Sequence, residues 1–338
     1  MVNPREHAKA ITLSLDDTMA RACLPFMRER GRLLSFLFHG IYRNADELHA
    51  GSFDPQQGVT QAMLRTLLNH FKVHGYRFIS PDDILRGLDP EERYVLITFD
   101  DGYFNNFNAL PVLEEFDAPA VFFLSTGHIR QGRAYWWDVV FREFKKRRMP
   151  ESEIHQAVSR LKYLKTEDVE RDLVRDLGPN ALQPAGDLDR PLTPAELRDF
   201  AGHPLVYLGN HTRNHAILTH YSLSEIREEI RCSQEDIVSM AGRAPNIIAY
   251  PNGNYSEEIV EAALEAGLLL GVTVEPGKNR VPIRSGPAAM KLNRFILWGD
   301  QDVDCQCRAF RSSFSLRRMI TRSRLRRRDS ERIQPNLV

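Results

Sequence analysis

A chain of 338 residues with 42% apolar and 27% charged side chains is long enough for one large or two small domains, and its composition excludes disorder throughout. Its 45 basic and 45 acidic residues cancel, yet Cys305 to Arg328 holds nine arginines and no acid, which leaves an acidic body with a basic end. An acidic body argues against nucleic acid as the main substrate, whereas a basic end suits an anionic partner such as a membrane surface or an acidic polymer.

In chain order, Met1 to Phe26 carries acids and lacks the basic start and apolar core of a secretory signal, and Leu33 to Phe38 is too short to span a bilayer. The expected location is the cytoplasm, with the basic end available to hold the chain at the inner face of a membrane. Val59, Met63, Leu64, Leu67, Leu68 and Phe71 recur at helical spacing, and Gly75 stops that helix before a short strand at Tyr76 to Ile79. Tyr94 to Phe99 is a continuous apolar run suited to a buried parallel strand; Ala109 to Phe116 reads as a helix and Ala120 to Leu124 as the next strand. From about 128 to 190 the alternation gives way to a charged helical insertion, bounded by Pro184, Gly186 and Pro191. It resumes with a strand at Leu205 to Leu208, a helix at Ser224 to Met240 and a strand at Ile247 to Tyr250. A helix at Ser256 to Ala266 and a strand at Leu268 to Val274 follow. Repeated strand and helix units imply a parallel sheet, open or closed into a barrel, with catalytic groups at strand C-terminal ends. The organisation expected is an N-terminal extension at 1–32, a barrel with its insertion at 33–304, and a mobile or surface-bound basic tail at 305–338. Cys23, Cys232, Cys305 and Cys307 are too few and too scattered for a disulfide framework and are expected to be free thiols.

Two segments carry the chemistry. Leu96 to Phe99 runs into Asp100, Asp101 and Gly102, so two carboxylates stand at a strand end, where one can bind a metal while the other faces its water; Asp-Asp-Gly also suits a plain turn. His211 and His215 follow the strand at Leu205 to Leu208 and would converge on one ion if the segment were helical. With Asp101 they make two nitrogens and one carboxylate oxygen, leaving a position for water.

These residues resemble the polysaccharide deacetylases with the nodulation-type domain, carbohydrate esterase family four. The matching pieces are TFDDGY at Thr98 to Tyr103, HTRNH at His211 to His215, and a proline and glycine loop at Tyr250, Pro251, Asn252 and Gly253. The resemblance implies an α/β fold, a distorted (β/α) barrel, with a divalent metal, usually zinc, held by Asp101, His211 and His215. It further implies Asp100 as general base and the backbone N–H of Tyr103 as oxyanion donor. Many members place the acid on a histidine near the C-terminus, but no histidine follows His220 here. Phe36 to His39 resembles instead the N-terminal, permuted element of the poly-N-acetylglucosamine deacetylases, which implies His39 as general acid. Tyr250 stands where the family has an arginine before the proline, and Arg294 in LNRFIL is the candidate to orient Asp100 in its place.

Trp136 and Trp137 open the insertion and read either as a stacking platform for a sugar ring or as an anchor pinning the insertion to the barrel. The implied activity is removal of N-acetyl groups from the amino sugars of a polysaccharide or its precursor, with a glycan as partner. The alternatives are an O-acetyl or N-formyl hydrolase using the same site, and a carbohydrate-binding protein without turnover. Sequence is silent on oligomeric state.

Overall fold

The computed structural model describes residues 4–49 and 53–312. Nine strands form one sheet: β1 Arg32–Phe38, β2 Arg77–Phe78, β3 Arg93–Phe99, β4 Ala120–Leu124, β5 Val206–Asn210, β6 Ile247–Ala249, β7 Leu270–Val272, β8 Asn279–Arg280 and β9 Phe295–Ile296. The order across it is β7-β6-β5-β4-β3-β1-β8, with β2 also on β3 and β9 also on β1, and all pairs are parallel except β1 with β8. β1, β3 and β4 are apolar along nearly their whole length because both faces are covered, as parallel strands require. On the helix side, Phe36, Val95, Ile97 and Phe122 pack with Leu64, Leu67 and Phe71 of the helix Gln61–Val73. On the other side, Leu33, Leu96, Val121, Phe123, Ala249 and Val272 make a second apolar layer.

The sheet curls until its two ends are linked by one stretch of chain. Leu292 bridges to Val272 of β7, and three residues later Phe295 pairs with Phe36 of β1. This is the distorted (β/α) barrel that the resemblance implies, and one of the two forms the alternation left open.

Register decides where the site falls. β1 and β3 pair without offset from Arg32 opposite Arg93 to Phe38 opposite Phe99, so His39 and Asp100 leave the sheet side by side. β4 and β5 pair through Leu124 opposite Asn210, which brings His211 to the same rim. The segment between β4 and β5 is helical, with helices Thr126–Gln131, Trp136–Lys146, Glu151–Leu161, Thr166–Leu177 and Pro194–Ala201. It is pinned by its own apolar cluster of Tyr103, Tyr135, Trp136, Trp137, Val140, Val158 and Val169.

The chain departs from expectation at its C-terminal side. Cys305 does not open a mobile tail: Val303–Arg311 is a helix, capped by the Asp302 side chain on the Cys305 N–H at 2.7 Å. Arg308 pairs with Asp17 of the helix Pro4–Cys23, and Arg311 donates from Nε and Nη2 to the buried Glu29 carboxylate at 2.9 and 2.8 Å. Two of the nine arginines are therefore structural. Residues 313–338, with the rest of the basic run, lie outside the described residues. The four cysteines are free. No described helix is long and apolar enough to cross a membrane.

Candidate functional site

At the strand C-terminal rim, Asp101, His211 and His215 bring one potential ligand atom each to within 4.8 Å of one another. Oδ1 of Asp101 lies 3.3 Å from His211 Nε2 and 3.4 Å from His215 Nε2, and Oδ2 lies 3.9 Å from His39 Nε2. Asp101 is only 1% exposed, and neither carboxylate oxygen has a hydrogen-bond partner among the described residues. A buried carboxylate left without donors is costly unless a cation or proton occupies the gap beside it. Two imidazoles and one carboxylate oxygen fit a divalent ion, zinc included.

The backbone accepts strain to build this set. Asp101 sits at φ 77°, Thr212 at 62° and His215 at 51°, in the left-handed region that side chains with a Cβ avoid. The carbonyl of Asp101 is held by the Tyr135 hydroxyl. His211 and His215 do not converge through a helical turn, as their spacing suggested; the segment is a loop. Thr212 N–H donates to Asn210 Oδ1 at 2.8 Å, Ala216 N–H to Thr212 Oγ1 at 2.8 Å, and Asn214 N–H and Nδ2 to the Glu229 carboxylate at 2.9 and 2.7 Å.

Tautomer and charge follow from the neighbours. His211 Nδ1 donates to the Ala249 carbonyl at 2.7 Å, which turns Nε2 toward Asp101. Burial pushes His215 down to about 3, so its imidazole is neutral and able to ligate. Burial opposes ionisation of Asp101, but the imidazoles of His39, His211 and His215 outweigh it and hold the carboxyl below the usual range. Asp100 is also buried, and there the Arg294 guanidinium outweighs burial. Arg294 is fully buried, donating to Asp100 Oδ1 at 2.6 Å and Oδ2 at 2.9 Å, to Thr98 Oγ1 at 3.0 Å and to the Thr273 carbonyl at 2.8 Å. Bidentate pairing of this kind fixes the carboxylate's direction as well as its charge.

His39 is partly exposed, and its Nδ1 lies 2.7 and 2.9 Å from the two amide atoms of Gln57. Gln57 is carried by a tight loop. Asp54 N–H donates to Asp138 Oδ1 at 3.0 Å, Gln56 N–H to Asp54 Oδ1 at 2.9 Å, and the Tyr103 hydroxyl to Asp138 Oδ2 at 2.8 Å. Gln57 carries no signal in the sequence, since nothing in the chain around Gln56 and Gln57 distinguishes them from surface glutamines. Among the described residues the Tyr103 backbone N–H donates to no protein acceptor, while its side chain is buried in the insertion's apolar cluster.

A cleft of about 520 Å³ opens over these groups. Trp136 and Trp137 line it but are only 3% and 7% exposed. The Trp137 ring lies 4.6 Å from Tyr135, stacked, and 4.7 Å from His215, edge-on, and its Nε1 donates to the Tyr103 hydroxyl at 2.8 Å. The indoles therefore anchor the insertion and leave little surface to the cleft. Of the proline and glycine loop, Asn252 reaches the cleft and Tyr250, Pro251 and Gly253 do not line it. Tyr250 is fully buried with its hydroxyl on the Met290 carbonyl at 3.1 Å, which removes it from the substrate-binding set. Asn254, Trp298, His155 and Ser159 of the helix Glu151–Leu161, and Lys162 just after it line the cleft instead.

A curled parallel barrel with a carboxylate and two imidazoles at its strand ends defines the class: an α/β barrel whose rim carries a set of side chains able to hold a metal ion. The chain belongs to the polysaccharide deacetylase family, whose profile matches residues 87–271. The match includes Asp100, Asp101, His211 and His215, while His39 and Arg294 lie outside it on either side. The YxkH protein of Bacillus subtilis is 24% identical over 229 residues, 63% of this chain, and the chain spans about 60% of that relative's length. Among solved structures, the deacetylase PplD of Streptococcus pyogenes in complex with acetate superposes at a TM-score of 0.55 with 18% identity, over 83% of this chain and 99% of that one. IcaB of Ammonifex degensii gives 0.53 with 14% identity over 83% and 98%. A de-N-acetylase of Aggregatibacter actinomycetemcomitans gives 0.54 with 16% identity over 80% and 96%. At these identities the superpositions establish the fold.

Proposed function

We propose that this protein hydrolyses N-acetyl groups from amino sugars within a polysaccharide or its precursor, releasing acetate and leaving a free amine. The observation that carries the reading is the buried Asp101 carboxylate, without a hydrogen-bond partner among the described residues, facing two imidazoles in a cleft.

Asp101, His211 and His215 would hold the divalent ion, and zinc suits the donor set. Bound there, such an ion supplies a Lewis acid that polarises the acetamide carbonyl and lowers the pKa of water. Asp100, kept ionised and aimed by Arg294, takes the proton of the attacking water. The Tyr103 N–H donates to the oxyanion that develops on the carbonyl oxygen. An amide nitrogen leaves poorly as an anion, so the C–N bond breaks only as a proton reaches it. His39 Nε2, on the cleft side of a ring held through Nδ1 by Gln57, delivers that proton. A well-placed acid is what distinguishes an amidase from an esterase in this site, and it favours N-acetyl over O-acetyl substrates. The cleft's mixture of apolar edges and amide side chains suits a sugar chain. The arginine run beyond Ser312 supports contact with an anionic surface.

The test is acetate release from N-acetylglucosamine oligomers by zinc-loaded protein, with O-acetylated and N-formylated sugars run alongside. Turnover of the N-acetyl substrate above the others supports the reading; turnover confined to O-acetyl or N-formyl groups transfers the site to those substrates. A well-folded, zinc-loaded protein inert on all three sinks it.

A further inference from the structure

The helix Pro4–Cys23 and the short turn Leu24–Phe26 after it have two faces. Leu13, Asp16, Asp17 and Ala20 are buried at helical spacing, and Asp17 is the residue that receives Arg308 from the C-terminal helix. On the opposite side, Leu15, Met19, Ala22 and Phe26 recur at intervals of four, three and four, which is one stripe down a helix. Leu15 is 49% exposed, Met19 38% and Phe26 90%. A lone exposed apolar residue is ordinary, but an aligned stripe ending in a bare phenylalanine is not.

Charge surrounds the stripe. The side chains of Arg21, Arg28 and Arg30 are 62%, 72% and 55% exposed, Arg21 pairing with Asp17 and Arg28 and Arg30 with Glu91. Helix Val303–Arg311 lies against the same N-terminal helix, and the described residues end at Ser312, directly after it. Between Arg317 and Arg328 the chain holds seven arginines and no acid.

We propose that this stripe is the insertion face of a peripheral membrane contact and that its occupant is a bilayer containing anionic lipid. Leu15, Met19 and Phe26 enter the headgroup boundary while Arg21, Arg28 and Arg30 meet lipid phosphates. A second copy of the chain is the poorer occupant. Three side chains fall well short of the roughly 800 Å² per partner of a stable protein interface, and pairing two such faces would bring two arginine runs together. The inference extends the anionic-surface contact named above and is independent of the deacetylase chemistry.

The experiment is co-sedimentation of the full chain with phosphatidylcholine vesicles, with and without phosphatidylglycerol, using wild type and the triple variant Leu15→Ser, Met19→Ser, Phe26→Ser. Acetate release from a soluble oligomer and the solution mass are measured on both. Expected are sedimentation with anionic vesicles only, weakened by salt, and about tenfold weaker binding by the triple variant with unchanged turnover and mass. Absence of wild-type binding to anionic vesicles overturns the proposal, as does a triple variant that sediments like wild type. A wild-type dimer that the triple variant converts to monomer assigns the stripe to self-association and also overturns it. Vesicle binding by a protein without turnover would leave the docking face standing and remove the deacetylase reading alone.

Discussion

Removing the guanidinium that faces Asp100 is the sharpest perturbation available in the barrel. Arg294 is fully buried, and replacing it with methionine deletes four hydrogen bonds at once: two to Asp100, one to Thr98 and one to the Thr273 carbonyl. What remains is a carboxylate that is itself 3% exposed and has lost its counter-charge. Breaking a buried pair from one side costs about 3–5 kcal/mol, because the surviving charge stays out of water. Asp100→Asn alone leaves Arg294 buried with a neutral amide and should cost a similar amount. The double variant removes both charges, so the two costs should not add, and a coupling of at least about 2 kcal/mol is expected. Urea unfolding of wild type, both single variants and the double variant gives the four free energies. Costs that add to within about 0.5 kcal/mol would refute the claim that the two residues act as one buried pair.

His39→Ala should lower kcat on an N-acetyl amide by about 10²- to 10⁴-fold while leaving an activated aryl acetate far less affected, since a good leaving group needs no proton; equal losses on both would remove His39 as the acid. Gln57→Leu should show the same amide-over-ester bias at a smaller scale, about tenfold, because it loosens the ring without deleting it. A pH effect belongs to the other end of the fold. Burial holds His70 down to about 4 from 6.5, and its neutral Nε2 faces Arg311 at 3.3 Å. The folded state therefore binds fewer protons than the unfolded one between those values. Stability from this site is complete above about 6.5 and is lost as pH falls toward about 4, by roughly 2–3 kcal/mol. Thermal melts of His70→Gln across that range should be flatter than wild type by this amount, and an unchanged slope would show that His70 is not the group titrating.

The parallel sheet and the place of its carboxylates were legible in the sequence because both depend on local pattern, whereas closure into a barrel was implied only by the family resemblance. Tyr94 to Phe99 is apolar throughout, so it is a strand buried on both faces, and the change to Asp100 and Asp101 marks its C-terminal end. The histidine pair was legible by spacing but its conformation was not. Thr212 and His215 adopt positive φ in a loop that Asn210 and Glu229 brace, and Glu229 comes from a later helix. Tyr250 was misplaced for a related reason: the loop's composition says turn, while the carbonyl that satisfies its hydroxyl belongs to Met290. Gln57 and Asp138 went unseen as supports of the site because their partners are 18 and 84 residues away in sequence, at His39 and Asp54. The helix at Val303–Arg311 was hidden by composition, since Arg308 and Arg311 read as solvated charges until Asp17 and Glu29 are brought to them.

The division of labour between the two adjacent carboxylates is the central claim, and one comparison tests it. Zinc content and acetate release from an N-acetylglucosamine oligomer are measured on wild type, Asp100→Asn and Asp101→Asn. Wild type should bind one ion and turn over; Asp100→Asn should keep the ion and lose turnover; Asp101→Asn should lose both. An Asp101→Asn protein that retains its ion, or an Asp100→Asn protein that turns over like wild type, would contradict the account.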